Sequence, residues 1–158
     1  MKIAYVSVQD STNVRSFSGT GYYIPHALSS NGAKIHYIGN LRKRPFLPEK
    51  LKELYYKHVH NKIYWFNRNP KVIKNYGKQA AKELAKIDHD VVLSFAGPSI
   101  ALLKTNKPMV LWSDAVFEDI VDFYPEFTSM TKRTIRNGHK MEKTILDRCA
   151  HIVYSSLT

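Results

Sequence analysis

The first forty residues constrain the fold more than any other stretch of the chain. Lys2–Val8 reads as a buried strand, because Ile3, Ala4, Tyr5, Val6 and Val8 favour β-structure and few polar residues interrupt them. A polar loop, Gln9 to Thr20, ends in Ser18-Gly19-Thr20-Gly21. A helix follows from about Tyr22 to Ser30, with Pro25 acceptable only in its first turn. Asn31-Gly32 closes that helix, and Ala33–Gly39 returns as a second strand. Strand, loop, helix and strand in so short a span make a βαβ unit with a right-handed crossover.

The alternation continues to the end of the chain. The spacing predicts helices over Pro48–His58 and Pro70–Ile87. In the second, Ile73, Tyr76, Ala80, Leu84 and Ile87 form one face, and Lys71, Lys74, Lys78, Lys82 and Lys86 hold polar positions. Asp90–Phe95 is a third strand, Gly97-Pro98 opens a short helix to Leu103, and Pro108–Ser113 is a fourth strand. Ala115–Phe123 reads as helical, Glu126–Ala150 as one long helix, and His151–Ser155 as a fifth strand. Strands alternating with helices imply a Rossmann-like α/β domain over residues 1–158, its parallel sheet flanked by helices.

Charge is distributed unevenly. The chain carries a formal +11, and the segment Leu41–Lys86 alone holds 13 Lys and Arg against three Glu, a balance of 13 − 3 = +10. Aromatics are interleaved there: Phe46, Tyr55, Tyr56, Tyr64, Trp65, Phe66 and Tyr76. Such a segment suits an anionic membrane surface, or nucleic-acid phosphates with stacked bases, or a solvated helix face over core aromatics. A single cysteine, Cys149, excludes an internal disulfide, and its apolar surroundings mark it as a core residue. No apolar run approaches the roughly 20 residues that span a bilayer. The beginning of the chain lacks a signal-peptide pattern, so a cytoplasmic, soluble or peripherally bound protein is expected.

In open α/β sheets ligands gather at the carboxyl ends of the strands. Three such ends carry candidate chemistry. Ser18, Gly19, Thr20 and Gly21 lead straight into a helix, whose free N–H groups and partial positive charge favour anions; a tight turn that needs glycine is the alternative. Gly19 and Gly21 match two glycines of the dinucleotide fingerprint, but Tyr22, Tyr23 and Ile24 follow, and no acidic residue ends the second strand at Gly39-Asn40. At Ser94–Ser99, Gly97 either faces a ligand or serves strand-to-helix packing. Asp114, after the fourth strand, can accept a hydrogen bond from a sugar hydroxyl, act as a base, or cap the next helix. His58-x-His60 lacks the companions of a zinc site, so exposed histidines are expected, and no metal site is read.

In order, these pieces resemble the amino-terminal half of family 4 (group 1) glycosyltransferases with the GT-B fold. The residues that carry the likeness are Met1–Ser7, Ser18-Gly19-Thr20-Gly21-Tyr22-Tyr23, Asn31–Ile35, Leu103–Ala115, Val121–Pro125 and Cys149–Ser156. The resemblance implies a retaining enzyme that moves a sugar from a nucleotide-sugar donor to a glycan, lipid or small-molecule acceptor without a metal or other cofactor. It also implies that this chain is the acceptor-side domain, inactive alone. A carboxyl-terminal domain with an E-x7-E element, absent from this chain, would hold most of the nucleotide. Gly19 and Gly21 would face donor phosphates and acceptor, and Asp114 stands where many members have a His. Lys71, Lys74, Lys78 and Lys82 would form a membrane- or anion-facing surface. The competing expectation is a non-enzymatic Rossmann-like module whose basic face binds nucleic acid or an anionic membrane.

Overall fold

The computed structural model describes residues 1–43 and 47–155. Arg44 and Pro45 of the basic loop, the aromatic Phe46 and Ser156 of the last matching piece lie outside the described residues. Five strands, β1 (Lys2–Val6), β2 (Lys34–Ile38), β3 (Val91–Ser94), β4 (Met109–Ser113) and β5 (His151–Tyr154), form one all-parallel sheet in the order β2-β1-β3-β4-β5. Among the described residues, six α-helices connect them: α1 (Thr20–Ser30), α2 (Leu47–His60), α3 (Pro70–Leu84), α4 (Gly97–Ile100), α5 (Phe117–Ile120) and α6 (Lys132–Leu146). The fold is α/β and Rossmann-like. Register follows the apolar runs, with Ile3 opposite Ile35 on one side and Val91 on the other, and Leu93 opposite Val110.

Alternation along the strands divides the core in two. Ala4, Val6, Val92, Met109 and Leu111 point to one face, where Val72, Ile73, Tyr76 and Ala80 of α3, Ile100 of α4 and Met141 and Ile145 of α6 cover them. Ile3, Tyr5 and Leu93 point to the other, against Ile24 and Leu28 of α1. Each fully buried aliphatic side chain contributes about 1.5–3 kcal/mol, so these layers supply the main stabilisation.

Most elements lie within a few residues of their expected spans, and four differences have local causes. The helix expected from Glu126 to Ala150 is a single 3-10 turn at Pro125–Phe127, then an extended stretch, then α6. Ser129 takes φ +58°, Met130 is buried and bridges Ile63, and the Thr131 hydroxyl caps α6 by accepting from the Thr134 amide. Ala115–Phe123 contains only the one-turn α5, ended by Val121 in extended conformation and Asp122 at φ +59°. α1 starts two residues earlier than expected, so Pro25 sits at its sixth position, past the first turn. The second long helix ends at Leu84.

Candidate functional site

The strand order places the topological switch point between β1 and β3, whose chains leave toward opposite faces of the sheet. After β1 the backbone runs on beside the end of β2: the Ser7 amide donates to the Ile38 carbonyl (2.9 Å) and the Leu41 amide to Val8 (3.1 Å). Asp10 then accepts from the amide and hydroxyl of Thr12 (2.9 and 2.6 Å), bonds that hold its carboxyl below the usual range. The Ser16 hydroxyl donates to the Asp10 carbonyl and folds the loop back on itself. Three left-handed residues follow in succession, Phe17, Ser18 and Gly19 (φ +50°, +54° and +94°), and deliver the chain to α1. No side chain caps α1 and no acidic residue occupies its first turn. The Thr20 amide donates to the Phe17 carbonyl, and the amides that follow carry the helix's partial positive charge with no acidic side chain to offset it.

The facing wall is the turn after β3. The Ser94 and Ser99 hydroxyls, both fully buried, lie 2.7 Å apart, and Ser99 Oγ reaches the Ala96 carbonyl at 2.7 Å and that of Val6 at 3.4 Å. This knot pins the start of α4 to the end of β1. The Phe17 ring meets Phe95 edge-on at 5.5 Å, so the two loops touch across the switch point.

The structure assigns the sequence candidates different parts. Ser18 is exposed and Thr20 half-buried at the loop's end. Gly21 is buried, and a Cβ there would lie 3.1 Å from the Phe17 ring. A Cβ at Gly97 would lie 2.5 Å from Cδ1 of Ile145, so its smallness serves the packing of α4 on α6. Asp114 is exposed beyond β4, the strand next to β3, and does not cap α5. That helix begins after Val116, and the carboxylate on its Phe117 amide is Glu142 of α6 (2.6 Å). Lys71, Lys74, Lys78 and Lys82 are exposed along α3, on the side away from the sheet. His58 and His60 are exposed, and Cys149 is half-buried, with burial pushing its thiol up. Among the described residues there is no group of three or more His, Cys, Asp or Glu that could hold a metal.

Two features escaped the sequence reading. Arg68 stacks over Phe117 at 4.2 Å, with Trp65 at 5.6 Å and Phe127 at 6.0 Å, and burial lowers its pKa to about 10, which still leaves it charged at neutral pH. It borders a shallow, open, mainly apolar groove between α3, α4 and α6, where Lys140 also stands. The second feature is α2, whose leucines face outward. A stripe of three leucines was legible in the sequence, but its direction was not.

No protein family, curated protein or solved structure matches this chain. The site's chemistry therefore rests on its own geometry. A helix start without a cap, entered through small residues, suits a phosphate or a ring of hydroxyls, and an exposed carboxylate one strand away suits a hydroxyl donor. Gly19 is the residue that holds this entry. At φ +94° with the Tyr23 ring 3.2 Å from an added Cβ, Gly19→Ala is expected to cost about 1–2 kcal/mol, measured by urea unfolding. An unchanged midpoint would show that the loop relaxes freely.

Proposed function

We propose that the chain is the acceptor-side domain of a retaining glycosyltransferase, a peripheral, cytoplasmic enzyme of the GT-B type. The observation that carries this reading is the uncapped start of α1, entered through Gly19 and set against the β3–α4 turn at the switch point of a β2-β1-β3-β4-β5 sheet. In the reaction the bond from the sugar's anomeric carbon to the donor phosphate breaks, and the nucleoside diphosphate leaves with the electron pair. The acceptor oxygen bonds that carbon and gives up its proton. The first turn of α1 would favour the negative charge that builds on the departing phosphate. Asp114 would orient the sugar by accepting from a hydroxyl, or take the acceptor's proton. A separate nucleotide-binding domain would hold most of the donor, and no metal is required. No helix among the described residues is long and apolar enough to cross a membrane, which accords with a peripheral enzyme.

Titration of the isotope-labelled chain with nucleotide-sugars and with a panel of mono- and disaccharides tests the reading by amide chemical shifts. Saturable shifts are expected at Gly19, Thr20 and Gly21 and beside Asp114, and Asp114→Asn should weaken saccharide binding about tenfold, as expected when a charge-assisted hydrogen bond is lost. Absence of shifts there with every probe would refute it. Shifts confined to the exposed Lys71, Lys74, Lys78 and Lys82 with single-stranded RNA, falling steeply with salt, would instead establish the non-enzymatic binding module.

A further inference from the structure

Helix α2 is mounted with its polar side inward. Glu49, only 7% exposed, accepts a hydrogen bond from the Tyr64 hydroxyl and pairs with Lys52 at 3.1 Å, while Tyr56 stacks on Tyr64 with ring centroids 5.6 Å apart. This attachment turns the opposite side to solvent. There Leu47, Leu51, Leu54, Tyr55 and Val59 follow one another at helical spacing, each between 43% and 70% exposed. Five large apolar side chains exposed together on one helix face that no described residue covers form the kind of patch that marks an interaction surface. Lys50 and Lys57 fall on one flank of the stripe, at the angle from which long side chains reach past an apolar face to charge beyond it.

We propose that α2 docks flat on an anionic lipid bilayer, with Leu47, Leu51, Leu54, Tyr55 and Val59 entering the headgroup–acyl boundary. Charge selects this occupant. The stripe lies within a segment whose balance is +10, and all three of that segment's carboxylates are already paired, Glu49 with Lys52, Glu53 with Lys50 and Glu83 with Lys86. A second copy docked stripe to stripe would bring two such basic segments together, and nucleic acid would leave the leucines in water. An anionic bilayer satisfies both the apolar face and the charge. Topology gives the docking a direction. α2 leaves from the carboxyl end of β2 and hands over to α3, which runs back against the strands, so α2 lies on the same side of the sheet as the loops after β1 and β3. The inference rests on α2's surface and not on sugar transfer, and its readout is binding alone.

Flotation of the chain with phosphatidylglycerol–phosphatidylcholine vesicles tests it, with pure phosphatidylcholine as control and light scattering of the free chain alongside. The chain is expected to float with the anionic vesicles only. Leu51→Ser with Leu54→Ser should lower the bound fraction about tenfold with an unchanged thermal melt, because both side chains are exposed. Lys50→Glu with Lys57→Glu should lower it as well. Failure to float with anionic vesicles, or undiminished flotation of the leucine variant, would overturn the proposal. A dimer that the leucine variant converts to monomer would also overturn it, in favour of a second copy.

Discussion

Gly77→Val is expected to lower the melting temperature by roughly 10 °C, the largest loss from any single glycine in α3 or α4, because it drives a side chain into backbone. A Cβ at Gly77 would lie 2.6 Å from the Leu102 carbonyl oxygen, 2.8 Å from its carbon and 2.9 Å from the Leu103 nitrogen. None of these atoms can rotate aside as a side chain would. Either α3 or the turn after α4 must back away, and the two meet over the most deeply buried part of the core: Val72, Tyr76, Ile100 and Leu103 are at most 1% exposed. Separating them costs on the order of 3 kcal/mol, and the better helix propensity of valine over glycine offsets only a few tenths. Gly32→Ala is the contrasting control. Gly32 has φ +86° but open space around it, so its substitution carries backbone strain and no collision. A thermal melt of the two variants by circular dichroism decides the matter. Equal midpoints would mean that the α3–α4 contact yields easily and does not limit the fold.

The contrast between these glycines also shows what the chain discloses before it is folded. The five strands were legible because each is a short run rich in apolar and β-branched residues, most of them bounded by Gly, Pro, Asn or Asp, and a strand's identity depends mainly on its own residues. The parallel sheet followed from their alternation with helices. What stayed hidden depended on partners far along the chain. Gly97 is small because Ile145 of α6 occupies its side-chain space. Asp114 looked like a helix cap, yet Glu142 takes the amide at the start of α5 from another element. The segment from Glu126 to Thr131 has helix-compatible residues, but pairing with Ile63 draws Met130 into extended backbone. The direction of α2 is the extreme case. Its apolar stripe would ordinarily mark the buried side, and a tyrosine fifteen residues beyond Glu49 reverses it.

That tyrosine supports the second large expectation: Tyr64→Phe destabilises the chain by on the order of 2 kcal/mol, the scale of a lost hydrogen bond to a charged group, and only within a window of pH. Burial alone would raise Glu49, but the Tyr64 hydroxyl, the Lys52 ammonium and the charge of Arg133 outweigh it and hold the carboxyl below its ordinary 4.5. A depressed folded value contributes stability above the ordinary one, and that contribution is lost as pH falls through the folded value. Tyr64 behaves in the opposite sense. Burial, followed by the bond to Glu49, pushes its hydroxyl from 10 up to about 12, so its contribution is complete below 10 and disappears between 10 and about 12. The gap between wild type and Tyr64→Phe should therefore be widest between about pH 5 and 10 and narrow on both sides. In acid the protonated carboxyl accepts burial without its partner. In alkali the wild type loses the phenolic proton that makes the bond. Urea unfolding across the pH range measures the gap, and a gap constant with pH would show that Tyr64 acts through its ring packing against Tyr56 alone. Because this bond helps seat α2, amide exchange in α2 should rise in the variant more than exchange in β1 or β3.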